Sequence, residues 1–159
     1  MSDRWFVVNL GDEAARWVER PGFGKRALLE PEDARFPQVG LHLSVIGPGD
    51  HSTLYHAEEA QEDFLVLRGS CTAIVEDEER PVRQWDLVHC PPGTRHTFVN
   101  TGDEPCVLLM IGARVGAAIV YPVSEIARSH GAGVDVETRS PEVAYAALEP
   151  WSPTDPAPL

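Results

Sequence analysis

Apolar residues between Leu41 and about Arg114 fall in short runs separated by turn-forming sequences. Such runs, recurring at roughly 8–12 residues, are typical of β-strands in an all-β protein. The turn signals include Gly47-Pro48-Gly49-Asp50 and Pro91-Pro92-Gly93. The predicted strands are 41–46, 52–57, 64–67, 71–76, 80–83, 86–90, 94–99 and 106–111. This pattern predicts an antiparallel sandwich or a small barrel.

The segments that flank these strands predict short helices. Asp12 is a suitable N-cap for an N-terminal helix over Glu13–Arg20, which Pro21-Gly22 would end. Ser124 is a suitable N-cap for a helix over Glu125–His130.

A second C-terminal helix is predicted from Ser140-Pro141 to about Leu148. The last ten residues contain four prolines and predict a loose tail. The chain is therefore divided into an N-terminal arm packed on the barrel (1–40), the barrel itself (41–120) and a C-terminal helical extension with its tail (121–159).

Length, charge and apolar content limit the class of protein. A chain of 159 residues and 17.5 kDa suits one domain. Its net charge of −12 argues against a nucleic acid or an anionic membrane as partner. The longest apolar runs, 107–111 and 115–120, are too short to span a bilayer. The N-terminal residues lack the features of a secretory signal, so a cytoplasmic location is expected.

Three cysteines, Cys71, Cys90 and Cys106, lie in apolar strand-like surroundings. Their odd number and their spacing fit neither a redox pair nor a zinc cluster. We expect three small buried thiols in a reducing compartment.

The histidines and glutamates of two segments are the candidates for chemistry. His56 and Glu58 point to the same side if their segment is extended, and Glu62 follows four residues later. His96 begins another predicted strand. Two imidazoles and one or two carboxylates inside a barrel can hold a transition metal. Alternation alone leaves open that these are hydrogen-bonded core histidines and solvated glutamates.

The first of these segments resembles the first motif of the cupin superfamily, G-x5-H-x-H-x3or4-E-x6-G. Asp50 stands at the first glycine position, and His56 follows at the required distance. Glu58 occupies the second histidine position, and Glu62 and Gly69 match. A competing register would place Leu54 and His56 in the two histidine positions.

The second segment resembles the second cupin motif, G-x5-P-x-G-x2-H-x3-N. Trp85 stands where glycine is usual, while Pro91, Gly93, His96 and Asn100 match. The resemblance covers roughly residues 41–112. It implies a double-stranded β-helix jelly-roll barrel that forms a homodimer.

The resemblance also implies a site for a divalent transition metal (Fe, Mn, Zn or Ni). The implied ligands are His56, Glu58, Glu62 and His96. A carboxylate at position 58 makes the site harder and favours Fe(II), Mn or Zn over Cu. The alternative is a degenerate site in which Glu58 is only a polar wall residue.

The side chains around this cluster include a candidate substrate pocket. Phe64, Val66 and Phe98 share the inward face and are expected to form an apolar pocket, with a structural core as the alternative. His51 is expected at the surface, or at the mouth of the barrel. His42 faces either the barrel or a dimer partner.

Two functions follow as expectations. The first is a metal-dependent enzyme of dioxygenase, isomerase or cyclase type that acts on a small oxygenated metabolite, with Glu58 as fourth ligand or catalytic base. The alternative is a non-catalytic protein that binds a small molecule beside a degenerate metal site. Fold resemblance does not decide between them.

Overall fold

The computed structural model describes residues 5–13, 15–32, 35–116 and 118–159. Within them the chain forms antiparallel strands and two short helices. In chain order these are β1 (Arg16–Arg20), β2 (Gly24–Leu28), β3 (Val39–Ile46), β4 (Ala57–Glu58), β5 (Glu62–Arg68), β6 (Ser70–Val75), β7 (Glu78–Arg83), β8 (Leu87–Cys90), β9 (His96–Val99), β10 (Cys106–Ala113), β11 (Ile119–Val120), α1 (Glu125–Ser129), α2 (Pro141–Ala144) and β12 (Ser152–Thr154).

Two antiparallel sheets enclose the main core. The larger has the strand order β12-β1-β2-β3-β10-β5-β8, and the smaller has the order β7-β6-β9. Strands β11 and β4 form a separate short pair. Buried side chains from both main sheets meet in one cluster, with Phe64 and Leu108 on one side and Ala73 and Phe98 on the other. The predicted all-β jelly-roll barrel is confirmed.

The predicted N-terminal helix is wrong, because Arg16–Arg20 form strand β1. This strand pairs with β2 on one edge and with β12 on the other. The side chain of Trp17, in β1, is buried in a cluster with Ala27 and Leu43. Pairing on two edges and the burial of an indole outweigh a weak local preference for helix.

The C-terminal segment contains both predicted helices. Ser124 caps α1 by accepting a hydrogen bond from the Ala127 N–H at 3.1 Å. Ser140 caps α2 with Pro141 as the first residue, although this helix ends at Ala144 rather than near Leu148.

The last residues are not a loose tail. Ser152–Thr154 form β12 and pair with β1, and Ala157 is buried beside Trp17. Pro153 is compatible with this strand because β12 lies at the edge of the sheet, where a missing N–H breaks no inner ladder.

The hairpin between β6 and β7 positions the start of β9. Its two turn residues, Glu76 and Asp77, both have positive φ, 51° and 60°. Arg95 donates to the Glu76 carboxylate at 2.6 and 3.0 Å, and its backbone N–H donates to the same carboxylate at 2.7 Å. The acidic turn is therefore anchored next to His96.

The three cysteines are free and buried, as expected from their apolar surroundings. Among the described residues, the helices are too short to cross a bilayer.

Candidate metal centre

His56 and His96 are brought together by the backbone. Each donates its N–H to the other's carbonyl, at 3.1 and 2.8 Å, so the two residues form an antiparallel bridge. Paired residues in such a bridge project to the same side. The two imidazole centroids lie 4.7 Å apart. Glu62, the first residue of β5, approaches from the larger sheet.

The rings of both histidines are oriented by backbone carbonyls. His56 Nδ1 lies 2.8 Å from the Leu54 carbonyl oxygen, and His96 Nδ1 lies 3.0 Å from that of Thr94. A carbonyl can only accept, so each Nδ1 carries the proton and donates. In a neutral imidazole the Nε2 atom is then a free acceptor. A hydrogen bond of this kind on the other ring nitrogen is what orients metal-binding histidines.

Both Nε2 atoms face the carboxylate of Glu62. Glu62 Oε2 lies 3.3 Å from Nε2 of His96 and 3.8 Å from Nε2 of His56. One ligand atom from each of the three residues lies within 4.8 Å of the other two. Nε2 of His96 is buried and has no hydrogen-bond partner among the described residues. Three converging acceptors of N, N, O type fit a transition-metal cation.

Glu58 lies beside this cluster rather than within it. Its Oε1 atom is 3.8 Å from Nε2 of His56, and its side chain is 37% exposed. Glu58 is not part of the group whose ligand atoms all lie within 4.8 Å. Of the four ligands that the cupin resemblance implies, the structure brings His56, Glu62 and His96 close together. The fourth, Glu58, lines the cavity beside them.

Burial governs the electrostatics of the cluster. It raises the pKa of Glu62 to about 8, with a further contribution from the nearby Glu58 carboxylate. It lowers the pKa of His96 to about 3, helped by His56, and it lowers the pKa of His56. It also raises the pKa of Glu58. The protein environment thus favours neutral imidazoles, the form in which histidine binds metals.

Two members of the cluster, His56 and Glu62, line a cavity of about 300 Å³. Most of the rest of its lining comes from the larger sheet, from the short pair β4–β11 and from the C-terminal segment. Side chains that sequence reasoning did not assign to the site include Arg26, His42, Tyr121 and Tyr145. No motif contains these residues. The one sequence signal was Arg26 itself, an arginine in β2 next to the buried Ala27.

Phe64, Val66 and Phe98 lie in the core and do not line this cavity. All three are at most 1% exposed. Phe64 packs between His96 and Phe98, with centroid distances of 4.9 and 4.7 Å. They point inward as expected, but the barrel is narrow enough for aromatic packing to fill it beneath the histidines.

His51 and His42 lie inside the protein. His51 is buried rather than at the surface, and its ring lies 4.2 Å from that of Phe23. His42 faces the barrel and lines the cavity.

The fold and the cluster define a jelly-roll barrel with a candidate His/His/Glu metal centre. Residues 42–112 match the family model described as "Cupin domain". Over this stretch, slightly less than half of the chain, the protein is similar to the cupin superfamily.

Three similar proteins illustrate this likeness. Protein SchB of Streptomyces halstedii is 30% identical over 84 residues, which span 53% of this chain and 61% of SchB. The polyketide cyclase RemF from Streptomyces resistomycificus has a TM-score of 0.61 at 21% identity, over 73% of this chain and 84% of RemF. A predicted oxalate decarboxylase from Thermotoga maritima has a TM-score of 0.59 at 19% identity, over 69% of this chain and 100% of its own. The two structures share the fold.

Proposed function

We propose that this cupin is a metal-dependent enzyme acting on a small oxygenated metabolite, in a reaction of dioxygenase, isomerase or cyclase type. The observation that carries the proposal is the convergence of three acceptors on one point at the wall of a cavity. His56, Glu62 and His96 would hold a divalent Fe, Mn, Zn or Ni ion. When bound, such an ion acts as a Lewis acid on a substrate oxygen.

Glu58 is assigned the role of catalytic base. It lines the same cavity as the cluster, yet it stands apart from the three close ligands. Its partial burial raises its pKa and makes it a stronger base than a fully solvated glutamate. A carboxylate in this position can accept a proton from a substrate hydroxyl, or from a C–H next to a carbonyl group.

Enzyme names among the structural relatives support an enzymatic use of the fold. RemF is named a polyketide cyclase, and the Thermotoga maritima protein a predicted oxalate decarboxylase. Because one fold hosts many chemistries, neither substrate is carried over to this chain.

A homodimer, a cytoplasmic location, a small-molecule ligand and the absence of nucleic-acid or membrane partners remain part of this proposal. Exposed apolar side chains at the edge strand β8 support the dimer. Leu87 is 63% exposed in this strand, and Trp85, just before it, is 70% exposed.

The experiment is metal analysis by mass spectrometry on protein purified without an affinity tag and without chelators. We expect about one equivalent of Fe, Mn, Ni or Zn per chain, lost in the variants His56→Ala and His96→Ala. His89→Ala is the matched control, because His89 is half exposed and lies on β8. A metal content that survives His96→Ala overturns the ligand assignment. Protein that neither contains nor takes up metal is instead a non-catalytic binding cupin.

A further inference from the structure

A second wall of the cavity is formed by β2 and β3. Arg26 of β2 is paired with Ser44 of β3, and His42 lies two residues before Ser44, so the three side chains share one face. Ile46 continues this face into the barrel core. The face therefore points inward. Arg26 and His42 line the cavity, and Ser44 lies next to them on the same face. We call these three residues the hairpin wall.

Polar atoms of the hairpin wall lack partners. Arg26 Nε, His42 Nε2 and Ser44 Oγ are buried without a hydrogen bond among the described residues. Buried polar groups in folded proteins are nearly always hydrogen-bonded. Three such atoms on one face beside a cavity indicate that something polar binds there.

The charge of Arg26 is uncompensated. Its Nη2 donates to the Ser52 carbonyl at 3.1 Å. Within the described residues, no carboxylate forms an ion pair with it, and its guanidinium lies over the Trp151 ring at 4.5 Å. Burial, and then the nearby Arg20, lower its pKa to about 10. A desolvated cation is costly unless an anion pairs with it.

The other charges of the cavity leave Arg26 as the excess cation. Arg114 also lines the cavity, but its Nη2 lies 2.6 Å from the Glu30 carboxylate. Glu58 and Glu62 together balance one divalent cation. A metal-loaded cavity then has one positive charge left, that of Arg26.

We propose that the substrate carries a single carboxylate, which binds at Arg26 of the hairpin wall. This inference rests on the proposed function, since the charge balance includes a bound divalent cation. Arginine suits the role because its planar donors match the geometry of a carboxylate. Neutral His42 adds a hydrogen-bonding atom next to it, and the reacting oxygen of the substrate faces the His/His/Glu cluster. A cavity of about 300 Å³ admits only a small acid of this kind.

Acetate, the minimal carboxylate, is the probe, and acetamide is its neutral analogue. Binding is followed on metal-loaded, ¹⁵N-labelled protein through the indole N–H signal of Trp151, assigned with Trp151→Phe. We expect a saturable response to acetate and a response to acetamide that is at least about tenfold weaker, because a charged partner strengthens the hydrogen bonds. The response should vanish in Arg26→Gln and be partly kept in Arg26→Lys.

Arg20→Gln is the matched control. Arg20 also lies over Trp151, at 5.0 Å, but it lines a different cavity. An acetate response that survives Arg26→Gln, or equal responses to acetate and acetamide, overturns the inference, as does the absence of any saturable response. Tighter binding of inorganic phosphate would assign the site to a phosphate group instead.

Metal analysis of the same samples separates the two proposals. Arg26→Gln protein that keeps its metal but loses the acetate response supports both. Wild-type protein that takes up no metal during loading, yet still responds to acetate through Arg26, refutes the proposed function alone. Metal-loaded protein without an acetate response refutes the carboxylate inference alone.

Discussion

The two walls of the cavity are built in different ways. In the wall that carries the His/His/Glu cluster, each imidazole is oriented by a carbonyl only two residues away in sequence. In the hairpin wall, Arg26 is held by the carbonyl of Ser52, 26 residues away, and by the ring of Trp151.

This difference explains what a motif can report. A local hydrogen bond fixes a side chain within its own segment, so its place in the site is visible as a spacing in the sequence. A side chain held by distant segments leaves no such spacing. The wall with the His/His/Glu cluster can therefore be predicted from the sequence, whereas the hairpin wall cannot.

The largest effect is expected at the first wall. Glu62→Gln removes the negative charge that faces both Nε2 atoms, while it keeps the size of the side chain. We expect metal affinity to fall by more than the roughly 10–100-fold caused by losing a partner behind a ligand. Competition with a chelator measures this. Glu59→Gln, an exposed neighbour, should change nothing, and equal losses in both variants would contradict the assignment.

Phe98→Ala tests whether Phe64, Val66 and Phe98 belong to the hydrophobic core or to a substrate pocket. Phe98 is completely buried against Phe64. We expect the free energy of unfolding to fall by about 3–5 kcal/mol, the usual result of emptying a packed aromatic site. Urea denaturation measures it. A small loss of stability with a large loss of ligand binding would instead support the sequence prediction of a substrate pocket.

The stability of the fold is expected to be acid-sensitive because of His51, whose ring packs on Phe23. Burial lowers the pKa of His51 to about 4, below the ordinary 6.5. The unfolded chain then binds a proton at a higher pH than the folded chain, so this stability is complete above pH 6.5 and is lost as the pH falls toward 4. The loss is up to about 1.4 kcal/mol per pH unit.

Denaturation at several pH values measures this slope. We expect the slope to become shallower, without vanishing, in His51→Gln, because buried His56 and His96 contribute to it in the same direction. The slope should persist in His89→Gln, which changes a half-exposed histidine. An unchanged slope in His51→Gln would show that other groups cause the acid sensitivity.

The smallest effect is expected at the turn that adjoins the first wall. Glu76→Gln weakens the partly exposed pair with Arg95. Pairs of this kind contribute about 0–1 kcal/mol, so thermal denaturation should show only a slight decrease in stability. A large decrease would show that the turn conformation depends on this pair.

The fold was predictable where local signals and tertiary pairing agree. Most of the predicted strand runs between Leu41 and Ile111, the Ser124 cap and the Ser140-Pro141 start appear in the structure. The predicted strand 52–57 is wrong, because that stretch forms only an isolated bridge at His56 and the start of β4. Gly69 of the first motif is needed because its φ is +74° and a Cβ would collide with the Pro105 carbonyl.

At other positions, contacts between distant parts of the chain determine the local structure. Trp85 replaces a motif glycine and adopts φ = 76° with its ring exposed, so the turn survives the departure from the motif. Arg16–Arg20 is a strand only because partners from both sides pair with it. For the site, spacing predicted the meeting of His56, Glu62 and His96, whereas the inward position of Arg26 depends on the β2–β3 register, which no motif encodes.

The pairing of β12 with β1 has a consequence for the order in which the protein is assembled. Thr154 Oγ1 donates to Glu19 Oε2 at 3.0 Å, across 135 positions of the chain. During synthesis, the segments that carry His56, Glu62 and His96 leave the ribosome before β12 does. Strand β1 keeps one edge open until residues 152–154 have emerged. The half of the barrel with the candidate metal centre can therefore form on the ribosome before the edge of the sheet beside Arg26 is closed.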